Sequence, residues 1–153
     1  MNTFEIDGVT YAYSAEPDDC QDAPWNNSDC HAPVRRAPLS YSYRANRAVP
    51  YGKRPGERVL HEGRHDAWLY DWSAAAAKAR SDGCKDIAGT IRADFEHLRG
   101  WLNGDWHYCV LTVWPVSDPD NVEYLGRVES DDDYILQCAK DIAPAPYVHM
   151  IDV

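Results

Sequence analysis

The sequence lacks the features that would place the chain in a membrane or in an oxidising compartment. It has no apolar run close to the roughly 20 residues that a membrane span needs. Its first residues contain no basic segment followed by an apolar one, so we expect no export signal. The five cysteines are odd in number and show no paired spacing, which indicates reduced thiols in the cytoplasm.

The composition is that of a globular protein with a sizeable core. The chain has 153 residues, of which 44% are hydrophobic and 12% aromatic, so a disordered or coiled-coil protein is excluded. No internal repeat and no second domain is visible. The length predicts a single domain over residues 1–153.

Charge is distributed unevenly along the chain, whose net charge is −10. Residues 1–34 contain seven acidic side chains and no base, and residues 118–153 contain nine acids and two bases. Between them, residues 35–64 contain eight bases and two acids. Two acidic terminal regions could repel nucleic acid or could imitate it.

Two β-hairpins and a long loop are predicted in the first half of the chain. Asp7-Gly8 supplies a tight turn between strands at 4–6 and 9–13. Residues 15–57 contain six prolines and are predicted to form a Pro/Arg/Tyr-rich loop without helix or central strand. A second hairpin is expected over 59–70.

The second half of the chain is predicted to contain three helices and two strands. The helices run from about Ser73 to Asp82, from an N-cap at Thr90 to Leu102, and onwards from an N-cap at Ser130. The strands are expected at 106–116 and 122–128, and the tail at 147–151 is expected to add an edge strand. Together these elements predict an α+β fold, in which hairpins build an antiparallel sheet and about three helices pack on one of its faces.

The sequence contains candidate metal ligands in two places. His61-Glu62-Gly63-Arg64-His65 matches the H-E-x-x-H pattern, which binds zinc only on a helix, whereas Gly63 favours a hairpin turn. A metal-dependent hydrolase at His61, Glu62 and His65 therefore remains an alternative hypothesis. Cys20, Cys30 and His31 lie in an acidic loop, but their spacing matches no zinc pattern. We predict no catalytic residue and no cofactor, and Cys109 is interpreted as a core thiol.

A basic, tyrosine-rich segment over 35–58 is the first candidate interface. Arginine contacts phosphate and tyrosine stacks on bases, so this composition is typical of a nucleic-acid-binding module. The alternative is that the bases neutralise the acidic regions of the chain itself. The candidate residues are Arg35, Arg36, Tyr41, Tyr43, Arg44, Arg47, Lys53 and Arg54.

The acidic C-terminal third is the second candidate interface. Carboxylates on one face could take the place of phosphates at a basic groove of a partner protein. The alternative is a solvated face with ordinary acids at a helix N-terminus. Trp25, beside acids in a loop, is a candidate anchor. The candidate acids are Asp118, Asp120, Glu123, Glu129, Asp131, Asp132 and Asp133.

Residues 58–143 resemble small acidic proteins encoded by bacteriophages and prophages. The resemblance lies in Tyr70-Asp71 with the alanine-rich helix after it, in the stretch from Phe95 to Tyr108, and in Gly126-Arg127-Val128-Glu129-Ser130. It implies a role in the cytoplasm of an infected bacterial host, among inhibitors of the anti-CRISPR or anti-restriction type, and it carries over no catalytic residue.

The leading functional hypothesis is a non-enzymatic phage protein that blocks a host defence complex. The partner would be a host protein or ribonucleoprotein that targets nucleic acid, and contact would be made through a DNA-mimicking acidic surface. Direct binding of nucleic acid by the basic segment is the alternative, and no membrane partner is expected.

Overall fold

The computed structural model describes residues 2–19, 21–26 and 31–145. The chain divides into two compact units. The split unit contains residues 1–21 and 106–153, and the inserted unit contains residues 22–105. The inserted unit therefore lies in the chain between the two halves of the split unit.

The strands and helices alternate in small groups along the chain. In chain order they are β1 (Asn2–Ile6), β2 (Val9–Pro17), a 3₁₀ turn (Pro24–Asn26), β3 (Val34–Ser42), β4 (Arg47–Pro50), β5 (Glu57–Glu62), β6 (Asp66–Asp71), α1 (Trp72–Ser81), α2 (Ile87–Asn103), β7 (Tyr108–Pro115), β8 (Glu123–Glu129) and α3 (Asp132–Ile142).

The split unit has an antiparallel sheet in the order β1-β2-β7-β8, with α3 packed against β7 and β8. Asp7 and Gly8 join β1 to β2 with φ angles of 52° and 80°, as the predicted tight turn requires. The core contains Tyr11, Leu111 and Val128 from the sheet together with Ile135 from α3.

The inserted unit has its own antiparallel sheet in the order β4-β3-β6-β5. Helix α2 packs against β5 and α1. Leu60 and Tyr70 from the sheet meet Ile91, Phe95 and Leu98 from α2 in the core. The predicted second hairpin is confirmed as β5–β6.

The prediction of a loop over 15–57 is wrong, because β3 and β4 lie within it. β3 is an inner strand, and it pairs with β6 through residues 34–38 and with β4 through residues 39–42. Pro38 is the last residue of β3 that pairs with β6 before the strand changes its partner to β4. Its carbonyl accepts a hydrogen bond from Tyr51 N on the β4 side (2.8 Å). Since the N and C=O of one residue point to the same strand edge, the missing N–H of Pro38 costs no hydrogen bond to β6.

Aspartate begins all three helices, and two predicted N-caps are wrong. Asp71 caps α1. Asp86 rather than Thr90 caps α2, and Asp131 rather than Ser130 caps α3. Each carboxylate accepts a hydrogen bond from the backbone N–H three residues later.

The predicted α+β class, antiparallel pairing and three helices are confirmed. The strands are shared between two sheets, a division that the sequence analysis did not anticipate. No helix in the part of the chain that the structure describes is long and apolar enough to cross a membrane. The predicted edge strand at 147–151 lies outside the described residues.

Candidate functional site

The hairpin formed by β3 and β4 presents three tyrosines to solvent. Tyr41, Tyr43 and Tyr51 are 54%, 92% and 69% exposed. The rings of Tyr41 and Tyr43 meet edge to face, with centroids 5.0 Å apart. The Tyr41 hydroxyl donates to Asn46 Oδ1 (2.6 Å), which holds its ring against the turn. The two rings therefore form an aromatic surface at the tip of the hairpin.

The same hairpin carries four cations and no acid. We call residues 39–54 the basic hairpin. Arg44, Arg47, Lys53 and Arg54 are exposed, and their side chains make no ion pair within the described residues. The charge of Arg54 also lowers the pKa of Glu57, whereas Arg44, Arg47 and Lys53 remain available to an external anion.

Arg35 has a different role from the bases of the hairpin. Its Nε and one terminal nitrogen each lie 2.7 Å from an oxygen of Glu57, a carboxylate that is 6% exposed. The hydrogen bonds from Arg35, with one from Arg54 N, outweigh burial and lower the pKa of Glu57 to about 2. Arg35 therefore stabilises a buried carboxylate within the inserted unit.

Arg36 is also engaged within the chain. Its guanidinium forms an ion pair with Asp66 and lies 5.7 Å from the ring centre of Trp68. Of the predicted nucleic-acid residues, Arg35 and Arg36 thus follow the alternative interpretation, in which bases balance the chain's own acids.

The H-E-x-x-H segment does not form the geometry of a zinc protease. His61 and Glu62 lie on β5 and His65 lies in the turn to β6, so the histidines do not share a helical face. His61 Nδ1 lies 2.9 Å from Asn103 Oδ1. Within the described residues, no group of three or more His, Cys, Asp or Glu is arranged to hold a metal. The helical geometry on which the alternative of a metal-dependent hydrolase rests is therefore not present at these residues.

His31 takes part in a polar cluster that sequence reasoning missed. Its Nδ1 lies 2.6 Å from Asp94 Oδ1, and the Tyr70 hydroxyl donates to Asp94 Oδ2 (2.8 Å). Burial alone would raise the pKa of Asp94, but the hydrogen bonds from His31 and Tyr70 lower it. The cluster joins the segment before β3 to α2. No local pattern reveals it, because 63 residues separate His31 from Asp94. Cys20 and Cys30 lie outside the described residues.

A small cavity of about 80 Å³ lies beside this cluster, between α1 and α2. Tyr70 and Asp94 line it together with Cys84 and Thr90. The cavity has room for only a few atoms, so the cluster serves chiefly to fix the position of α2.

The predicted acidic residues fall into two groups at opposite ends of β8. Asp118 and Asp120 precede the strand, Glu123 and Glu129 are its first and last residues, and Asp131 to Asp133 follow it. The six residue steps from Glu123 to Glu129, at roughly 3.3 Å each, separate the two groups by about 20 Å. We call these seven acids with β8 the acidic edge. Asp131 is occupied as the N-cap of α3.

Three apolar side chains are exposed along the acidic edge: Val116, Tyr124 and Tyr134. Each lies within two residues of one or more of the acids. An exposed aromatic ring among charges is typical of a protein interface.

Trp25 is not the exposed anchor that we predicted. It is half-buried, and its ring lies 5.5 Å from the rings of both Trp68 and Trp101. These contacts place Trp25 against the core of the inserted unit. Cys109 is buried in β7, and burial raises the pKa of its thiol, which fits the predicted core residue.

Comparisons with protein-family models, with curated proteins and with solved structures found no match to this chain. The resemblance to phage proteins therefore stays a prediction. A function has to be argued from the two surfaces themselves.

Proposed function

We propose that this protein is a binding module that holds a single-stranded nucleic acid on its basic hairpin. The observation that supports the proposal is the coincidence of three exposed tyrosines and four unpaired cations in one hairpin without an acid. Tyrosine rings stack on bases of any sequence, and arginine and lysine pair with phosphates.

Single strands fit this surface better than duplexes. In a duplex the faces of the bases are stacked on one another and are closed to Tyr41 and Tyr43. Stacking on an aromatic side chain contributes about 1–3 kcal/mol per base, which can offset the small number of cations.

The net charge of −10 sets the conditions under which binding is expected. Beyond the hairpin the chain carries many acids, which repel phosphates at low ionic strength over about a Debye length. Four phosphate contacts predict that log K falls with log salt with a slope of about −3 for single strands.

The test is fluorescence anisotropy with labelled ten-nucleotide oligo(dT) and oligo(U) across a salt series. Arg44→Glu with Arg47→Glu is expected to weaken binding more than tenfold and to flatten the salt slope. Tyr43→Ser removes one stacking ring, so we expect a loss of about five- to a hundredfold at an unchanged slope.

The matched control is Lys85→Glu with Arg92→Glu. Both residues are exposed bases of the inserted unit outside the hairpin, and the double variant changes the net charge by the same amount. If this control weakened binding as much as the hairpin variant, the contact would be only a general effect of charge and the proposal would be wrong.

A second candidate function rests on the acidic edge. Here the proposal is that the protein blocks a host defence complex by presenting phosphate-like carboxylates to a basic groove. The exposed Tyr124 and Tyr134 among the acids favour it, because aromatic anchors surrounded by charge are typical of tight interfaces. The long-range field of the acids would steer a basic partner towards this edge.

This second function is tested by affinity capture from a bacterial lysate after nuclease treatment. Glu123→Lys with Tyr124→Ser should lose a captured basic protein that the parent chain retains. The control is Glu16→Lys, an exposed charge reversal on β2. Equal capture by the parent and the edge variant would reject the acidic edge as the contact surface.

A further inference from the structure

A groove of about 360 Å³ lies beside the turn between β5 and β6, outside the basic hairpin. Its volume lies within the range of small-molecule sites, about 300–1,000 Å³. The side chains that form it are Arg36, His61, Arg64, His65, Asp66 and Trp68.

The groove combines an arginine that lies over a tryptophan ring with exposed cationic and polar groups. Asp66 fixes the guanidinium of Arg36, which lies 5.7 Å from the ring centre of the half-buried Trp68. Arg64 and His65 are exposed, and their side chains have no partner among the residues that the structure describes. With one acid, two arginines and two histidines, this arrangement fits an aromatic anion, as a nucleotide is.

The groove continues the surface of the basic hairpin. Leu39 N donates to His65 O (2.8 Å), and Pro38 is paired with Asp66. The turn that carries Arg64 therefore lies where the hairpin leaves the sheet. From Leu39 to Ser42 the strand rises about 10 Å, a length covered by about three stacked nucleotides at about 3.4 Å each.

We propose that this groove is a second nucleotide subsite for the same single strand that the basic hairpin holds. The inference rests on the proposed nucleic-acid function. In it, a base stacks beside Arg36 and Trp68, and the Arg64 guanidinium binds the adjoining phosphate. One strand then runs from the tyrosines at the hairpin tip to the groove at its base.

The first measurement is the affinity of Arg64→Glu for ten-nucleotide oligo(dT) and oligo(U), with Lys85→Glu as the control. Arg64 is exposed in a turn, so its substitution leaves the core intact. We expect a loss of at least fivefold, and a salt slope that is less steep by about 0.7 because one phosphate contact is lost. The oligonucleotide with the larger loss identifies the preferred sugar.

The second measurement is photo-cross-linking of the parent chain to the same oligomers carrying 5-iodouracil at each position in turn. Cross-links to Trp68 or His65 from one end of the oligomer, and to Tyr41 or Tyr43 from the other end, are expected. Cross-links confined to the tyrosines, with Arg64→Glu behaving as the control, would overturn the subsite and leave the hairpin proposal standing. If the parent chain bound neither oligomer at low salt, the proposed function itself would fail.

Discussion

The two units of this protein share a plan but use charge in opposite ways. Each has a four-stranded antiparallel sheet covered by helix. The split unit carries fourteen acids and two bases, a net charge of −12, whereas the inserted unit carries eleven acids and thirteen bases, a net charge of +2. The split unit has an apolar core, while the inserted unit places Glu57 and Asp94 in partly or fully buried contacts.

This difference shows what the charges in each unit do. In the inserted unit, carboxylates hold segments that are distant in sequence, such as Arg35 against Glu57 and His31 against Asp94. No buried side-chain nitrogen or oxygen in the described ranges lacks a hydrogen-bond partner. In the split unit most of the acids that the structure describes are exposed instead, so ion pairing contributes little to the stability of that unit.

The largest expected effect comes from a cavity in either core. Leu111→Ala in the split unit and Leu98→Ala in the inserted unit each remove a side chain with no exposed surface. Each is expected to lower the free energy of unfolding by about 2–5 kcal/mol. Hydrogen exchange measured amide by amide should show the larger loss of protection in the unit that carries the substitution. Equal losses in both units for either variant would contradict the division into two cores.

The next largest effect is a dependence of the stability of the inserted unit on pH. The folded pKa of Glu57 is about 2, below its ordinary value of 4.5, so its ionised form stabilises the inserted unit above pH 4.5. This stability is lost as the pH falls towards 2. Glu57→Gln should therefore melt at a lower temperature than the parent at pH 7, and the difference should shrink between pH 4.5 and pH 2.

Glu62→Gln is the control for this titration, because Glu62 is exposed at the end of the same strand. Its melting temperature should follow that of the parent at every pH. A Glu57→Gln difference that stayed constant down to pH 2 would show that the Arg35 contact does not depend on the charge of Glu57.

A smaller effect is expected to be equal in the two units. Asp86→Ala and Asp131→Ala each remove an N-cap carboxylate, from α2 and α3 respectively. Each should lower the free energy of unfolding by about 1 kcal/mol, as measured by urea denaturation. Asp86→Asn and Asp131→Asn should restore most of the loss, since the amide oxygen also accepts the backbone hydrogen bond. A lack of rescue would mean that charge rather than capping is responsible.

The smallest effect concerns the exposed pair Lys78–Asp82 on α1 (3.5 Å). Lys78→Ala should change the free energy of unfolding by less than about 0.5 kcal/mol, since exposed pairs four residues apart on a helix contribute about 0.3–0.5 kcal/mol. The same denaturation measurement checks it. A change of 2 kcal/mol would show that the pair is not a simple surface contact.

Local signals in the sequence predicted the elements well. Asp7-Gly8 predicted its turn, and Gly83 and Gly104 follow the ends of α1 and α2 with positive φ angles. The errors at helix starts are shifts to another polar residue, by four positions for Asp86 instead of Thr90 and by one for Asp131 instead of Ser130. The choice between two possible capping residues depends on where the rest of the helix packs.

Distant contacts could not be predicted from local pattern. The six prolines of residues 15–57 led us to predict a loop where β3 lies. The strand forms there by pairing with β6 about thirty residues later in the chain, and a local pattern does not show such a contact. In the same way, Trp25 becomes half-buried only through Trp68 and Trp101. The sequence predicted the basic segment as a whole. It did not show that Arg35 and Arg36 form ion pairs within the chain, which distinguishes them from the cations of the basic hairpin.

The pairing of β2 with β7 has a consequence for the order in which the chain folds. Pro17 faces Cys109 across this pair, so the contact closes a loop of about ninety residues. Once the inserted unit has folded, Trp25 and Trp101 are in contact, and the loop still to be closed shortens to about sixteen residues. That shortening lowers the entropic cost of closure by about 1.5 kcal/mol. During synthesis β1 and β2 leave the ribosome first, yet β2 has no access to β7 until the inserted unit has been made.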